Sequence, residues 1–314
     1  MTWSHLGPRE HTPLRRPLQA DWETSLSAAA VATNPPAHAC HGWSGHQPAT
    51  LSAAPPLSPR ESPVTTPASS PLAHRSAGIL LHPTSLPGRF GIGEIGPEAD
   101  RWLERLAQMA QRHWQVLPLG PTGFGDSPYQ TLSTFAGNPL LISFDLLRED
   151  GLVDAGRLDG IAPFPADHVA FGDVIGTRLG VLHEVAATFP GRASPELQAG
   201  LSQFIDENGW WLDDYGLFVS LKGRFDGRCW TDWPADIAGR EPGVLAAARR
   251  DLAEGINHAR IGQFLFHEQW KRLRERAAEL GISIIGDLPI FVAHDSADVW
   301  CRPELFALDA DGRP

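Results

Sequence analysis

Asp287 follows the apolar run Ile282–Gly286 and precedes Leu288 and Pro289, so its carboxylate stands where a buried strand ends. A carboxylate there is costly to bury unless it meets hydrogen-bond donors, a cation or ligand hydroxyls. Its competing use is to tie down a neighbouring loop. A second set of polar groups lies in the loop Gly125–Gln130, where Asp126, Ser127, Tyr129 and Gln130 sit among Gly and Pro. Asp, Ser and Gln exchange hydrogen bonds with ring hydroxyls, while a Tyr face covers the apolar C–H side of a pyranose. That is the chemistry of sugar recognition, against the plainer use of a connecting turn. Only two tyrosines occur, Tyr129 and Tyr215, which makes the one in this loop more telling.

Other candidates have simpler readings beside them. Asp295 and Asp298 flank Ser296 as pocket acids or, more simply, as a helix N-cap with a first-turn acid. His294 beside them lines a pocket or is a solvated loop residue. Trp210/Trp211 and Trp230/Trp233 could stack on sugars, although aromatics in a helical region usually pack. Arg240, Arg249 and Arg250 with Glu241 and Glu254 read as a solvated charged face. No Walker loop, GxSxG, HExxH or CxxC occurs, and Phe90–Gly93 lacks the spacing of a dinucleotide fingerprint.

These groups need elements to position them. Gly78–Leu81, Trp114–Leu119 and Ile282–Asp287 are short apolar runs, each expected as a parallel strand buried on both faces. Between the first two, Pro97 to His113 reads as a helix. Its apolar stripe is Trp102, Leu103, Leu106, Met109 and Ala110, with Glu98 and Asp100 in the first turn. Strand, helix, strand makes a right-handed βαβ unit of residues 76–139. Residues 140–257 read as a mainly helical insertion, with helices near Pro195–Phe204, Trp210–Lys222 and Gly243–Leu252 separated by loops. Residues 258–314 continue a helix from about Asn257 to Leu280, capped by Gly281, into the third strand. The class is α/β, and either a (β/α)₈ barrel or an open doubly wound sheet satisfies it. In both, functional groups gather beyond the carboxyl ends of the strands, where His82, the Gly120–Tyr129 loop and Asp287 fall.

Composition limits the function classes. The 314 residues carry a formal charge of −11, which disfavours nucleic acid and anionic membrane surfaces as partners. No apolar window is long enough for a spanning helix. Cys40, Cys229 and Cys301 are widely spaced and form neither a disulfide framework nor a metal pair, as suits a cytoplasmic chain. Residues 1–75 stand apart, with 12 of the 28 prolines and no apolar period, so a disordered extension is expected there. Its six histidines hold one helical pair spacing, His38/His41, too little for a metal site.

From Ser76 onward the chain resembles the amylomaltase (4-α-glucanotransferase, disproportionating enzyme) family. The resemblance rests on Gly78–Gly88, Trp114–Gln130, Phe135–Pro139, Ile285–Val292 and Asp295–Trp300. It implies a (β/α)₈ barrel with a helical insertion and a retaining transfer of 1,4-α-glucan segments to glucose, maltose or maltodextrin acceptors, without metal or organic cofactor. It also implies substrate-binding roles for Tyr129 and Asp287, with the Ser127 loop lining the same cleft; Asp126 and His294 complete the candidate set. Position alone would suit Asp287 to a nucleophile, but in the family it matches a substrate-binding acid. The family's nucleophile lies in an Arg-x-Asp-His-Phe-Arg-Gly segment that is not found here. The expectation is therefore about three strands of the barrel without the catalytic carboxylates, inactive alone. The alternatives are a non-catalytic α-glucan-binding fragment and a half-enzyme completed by a second polypeptide.

Overall fold

The computed structural model describes residues 75–314. The expected disordered extension, with His38, His41 and Cys40, lies outside the described residues.

Three short strands form one parallel sheet in the order β1 (Gly78–Leu80), β2 (His113–Gln115) and β3 (Ser283–Ile285). The register aligns Ile79, Trp114 and Ile284 across the sheet, with Leu80, Gln115 and Ile285 one step along. Successive side chains of a strand point to opposite faces. The Ile79–Trp114–Ile284 row packs into the main core, whereas Leu80 is 54% exposed and Gln115 is also exposed. The expectation of strands buried on both faces is therefore corrected. Helices α1 (Pro97–Gln108) and α8 (Ala253–Glu279) serve one face, and the other is only partly covered among the described residues, with His113 buried and Gln115 exposed. β2 is also shorter than its apolar run, because Pro118 has no N–H to continue a ladder.

Helix α1 begins as expected, with Pro97 in the first turn after Gly96. It stops at Gln108, so Met109 and Ala110 lie beyond it; Met109 is half exposed, and Ala110 turns the chain at φ 55°. The insertion opens with short helices α2 (Phe144–Glu149) and α3 (Ala155–Asp159); it is mainly helical, as expected, but differs in detail from expectation. Helix α4 (Phe171–Arg192) was not foreseen, because Gly172, Gly176, Gly180 and Pro190 lower its propensity. Its buried face, Val174, Arg178, Val181, Leu182, Val185 and Phe189, nevertheless keeps helical spacing. The two helices expected on either side of Gly209 are one, α5 (Pro195–Arg224), capped by the Ser194 hydroxyl. It lies along α8 and buries Phe204, Leu212, Tyr215 and Phe218, which offsets the roughly 1 kcal/mol that Gly costs in a helix. Helices α6 (Ala235–Ala238) and α7 (Pro242–Asp251) precede α8, and α9 (Ala297–Cys301) follows β3.

Two apolar clusters carry the fold. The larger joins α1, β2, α4, α5 and α8 around Leu103, Trp114, Val181, Phe189, Phe264 and Leu273. The smaller sets Phe218, Trp230, Trp233, Val299 and Trp300 against one another, so packing is the role of the Trp230/Trp233 pair. In the larger cluster a fully buried Arg178 donates to Glu94 at 2.6 Å and to the Ile142 carbonyl, and lies over the Phe144 ring at 4.2 Å. These contacts fix the glycine-rich loop after β1 to the insertion. Arg240 and Arg249 are only half exposed and share Asp214 at 3.1 and 2.8 Å, which corrects their reading as a solvated face; Glu241, Arg250 and Glu254 are exposed. Burial raises the Asp214 pKa, but the two guanidinium groups outweigh it and hold the carboxyl below its ordinary range.

Candidate functional site

The carboxyl ends of β2 and β3 open onto a cavity of about 440 Å³. Apolar β2 residues beyond the strand, Val116, Leu117 and Leu119, form part of its wall, and Gly286, Asp287 and Leu288 after β3 form another. α5 contributes Asn208, Trp210 and Trp211, and α8 contributes Gln263, His267 and Trp270. Among the lining residues Asp287 is the only carboxylate.

The geometry around Asp287 brings two of the expected residues together. The Tyr129 hydroxyl donates to Asp287 Oδ2 at 2.7 Å across 158 residues of chain. That bond stabilises the phenol over the phenolate, and it raises the Tyr129 pKa, with smaller contributions from desolvation and the nearby negative charge. Asp287 thus lends one oxygen to Tyr129 while the exposed Tyr ring remains accessible.

The loop that presents Tyr129 is built by its own sequence. Gly125 and Asp126 both have positive φ, 69° and 54°, and the non-glycine Asp126 accepts that strain at the tip of the turn. Asp126 itself is half-buried there. The Ser127 hydroxyl accepts from the Tyr129 N–H at 3.3 Å, so Ser127 shapes the turn that aims the ring. Gly123 N–H to the Gln130 carbonyl at 2.6 Å closes the loop base.

His294 is placed elsewhere. Its Nε2 meets the Gly312 carbonyl at 2.7 Å and its ring packs on Trp230 at 5.5 Å, so it fastens the following segment to the small cluster. Asp295 pairs with Lys222 at 2.6 Å. Ser296 is the N-cap of α9, accepting from the Val299 N–H, with Asp298 in the first turn. Asp298 also accepts from the Thr134 N–H at 2.9 Å, which anchors the loop opposite. His82, at the end of β1, joins Thr84 Oγ1 at 2.7 Å and the Pro118 carbonyl at 3.3 Å; burial lowers its pKa.

Sequence reasoning offered Trp210 for stacking on sugars but missed Phe135, its partner in an aromatic wall. Phe135 and Trp210 meet edge to face at 4.7 Å and 73°, and they remain 51% and 68% exposed. Large aromatics left this open beside a carboxylate are available to a ligand. The pairing of Phe135 with Trp210 joins a loop and a helix far apart in sequence, and no local pattern signals it. Gln263 holds the Phe135 loop in place, accepting from the Gly137 N–H at 2.7 Å and donating to its carbonyl at 2.9 Å.

Comparison with known proteins gives the family. A family model described as 4-alpha-glucanotransferase matches residues 81–312. The chain is 48% identical over 240 residues to a 4-alpha-glucanotransferase of Thermus thermophilus, covering 76% of this chain and 47% of that protein. It is 43% identical to a Synechocystis 4-alpha-glucanotransferase, again over 76% of this chain and 48% of the other. The solved structure of amylomaltase from Streptococcus agalactiae in complex with acarbose superposes with a TM-score of 0.73 at 39% identity, over 77% of this chain and 48% of that one. The chain spans about half the length of the curated relatives it matches. With three parallel strands, a helical insertion and this match over most of its length, the chain belongs to the 4-alpha-glucanotransferase family.

Proposed function

We propose that the cavity at the ends of β2 and β3 grips a 1,4-α-glucan for 4-α-glucanotransferase chemistry, with glucose, maltose or a maltodextrin as acceptor. The observation that carries this reading is the Tyr129–Asp287 bond at 2.7 Å beside the exposed Phe135/Trp210 wall. Asp287 offers acceptor oxygens to sugar hydroxyls, and the rings of Tyr129, Phe135 and Trp210 offer faces to the C–H sides of pyranoses. Asp126 and the Ser127 turn belong to the same rim in this reading, whereas His294 bonds the Gly312 carbonyl and packs on Trp230.

Retaining transfer needs two carboxyl groups about 5–5.5 Å apart, one as nucleophile and one as acid/base. Among the described residues the lining supplies Asp287 alone, and Asp287 is engaged with Tyr129. We therefore assign these residues to substrate binding and none of them to bond cleavage. Glucan binding without turnover is the behaviour expected of the 314-residue chain. The half-exposed free thiols Cys229 and Cys301 fit a reducing, cytoplasmic setting. No helix among the described residues is long and apolar enough to cross a membrane.

Titration calorimetry with maltoheptaose tests the binding. Millimolar or tighter affinity is expected, weakened in Asp287→Ala and in Trp210→Ala. Absence of heat from the unaltered chain, or variants that bind as tightly as the unaltered chain, refutes the assignment. Incubation with maltotriose tests the rest: release of glucose overturns the statement that this chain does not cleave.

A further inference from the structure

A second constellation lies away from the glucan cavity, between α4 and α8. His183 projects from α4, and Glu254 and His258 project from α8 at i,i+4 spacing, which places them on one helix face. One ligand atom from each lies within 4.8 Å of the others. The Nδ1 atoms of His183 and His258 are 3.2 Å apart, and their rings meet edge to face at 4.2 Å and 84°. In a tetrahedral zinc site with Zn–N bonds of about 2.0–2.1 Å, two ligating nitrogens stand about 3.3 Å apart. The two nitrogens are therefore already spaced as a ligand edge, and a rotation of the edge-to-face rings brings both lone pairs onto one cation. Glu254 stands 3.9 Å from His258 Nε2, on the other side of the ring from the two Nδ1 atoms, and its 80% exposed side chain has to turn to join them. Both histidines also line the mouth of a separate cavity of about 550 Å³, walled by Ile175, Leu179, Leu182 and Val219.

We propose that His183, His258 and Glu254 form a three-ligand site for a divalent transition metal, Zn²⁺ in particular, with its fourth position open to water. Two imidazoles and a carboxylate are a donor set typical of zinc. In the metal-free protein a proton joins the two Nδ1 atoms. On binding, the donating ring carries its proton on Nε2 and both Nδ1 lone pairs face the cation. The metal then cross-links α4 to α8, and because the unfolded chain lacks the site, binding stabilises the folded state. The ordinary alternative is a histidine stack beside a first-turn acid of α8.

Titration calorimetry of the full chain with ZnCl₂, paired with melting curves, decides between them. The unaltered protein is expected to take up one more equivalent of Zn²⁺ than His183→Ala or His258→Ala, and to melt higher with Zn²⁺ where those variants do not. Glu254→Gln is expected to keep the stoichiometry and weaken the affinity by about tenfold or more. His183 is exposed, so His183→Ala decides the matter even where His258→Ala fails to fold. Equal stoichiometry and equal thermal shifts in the unaltered chain and His183→Ala overturn the proposal, and they place any bound zinc on other histidines, such as the six within residues 1–74.

Discussion

Replacing Arg178 by Met is expected to destabilise the fold by about 3–5 kcal/mol, the cost of leaving a buried charge without its partner. The guanidinium is fully buried, with a 2.6 Å bond to Glu94, a bond to the Ile142 carbonyl and the Phe144 ring 4.2 Å away. Charge-assisted hydrogen bonds contribute roughly 1.5–3 kcal/mol each, and a desolvated cation–π contact up to about 2. Their loss alone would exceed the expected figure, but removing Arg178 also removes its own desolvation cost. What remains is Glu94, 7% exposed and unpaired. Burial already raises the Glu94 pKa against the opposing attraction of Arg178, and without Arg178 it rises further. The native variant then binds more protons than its unfolded chain between the ordinary and the raised pKa. Stability falls as pH increases through that window. The deficit of Arg178→Met relative to the unaltered chain is thus expected to be larger near about pH 8 than near about pH 5. Urea unfolding followed by tryptophan fluorescence measures both. Adding Glu94→Gln to Arg178→Met is expected to restore most of the loss, because a neutral amide is far cheaper to bury. A deficit under about 1 kcal/mol, or one that does not change with pH, would refute the account of a buried pair held by mutual neutralisation.

The remaining predictions concern the site and its supports. Tyr129 is expected to ionise above the ordinary tyrosine range and to return toward it in Asp287→Asn, read by phenolate absorbance; Tyr215, raised by burial, stays high in both proteins. A Tyr129 titration unmoved by Asp287→Asn would show the hydrogen bond to be absent. Gly137→Ala places a Cβ about 2.0 Å from the Phe266 ring, so a loss of about 1–3 kcal/mol is expected, together with weaker maltoheptaose binding as the Phe135 loop shifts. Ser296→Ala removes the cap of α9 and is expected to cost about 1 kcal/mol in urea unfolding, since the buried hydroxyl also leaves the Val299 N–H unpaired.

Much of the active framework was legible in local sequence. The three apolar runs, the Pro97 start of α1, the Ser296 cap and the Gly/Pro loop bearing Tyr129 each carry their signal within a few residues, because capping, turn chemistry and short apolar runs are local features. The family resemblance added that Tyr129 and Asp287 serve one cleft, and the 2.7 Å bond joins them. Local rules failed where long-range packing overruled propensity. Gly209 does not break α5, and four glycines do not prevent α4, because both helices bury an apolar face against α8. Local rules were also silent wherever the partners are distant in the chain. The Phe135–Trp210 wall, the Arg178–Glu94 pair and the His183–His258 contact join residues 75 or more positions apart. Sequence by itself therefore determined which segments become strands, turns and caps, and which family they belong to. Tertiary structure alone decided that His294 bonds the Gly312 carbonyl and packs on Trp230, and which aromatic rings stay exposed, because those outcomes depend on the surfaces that meet once the helices have packed.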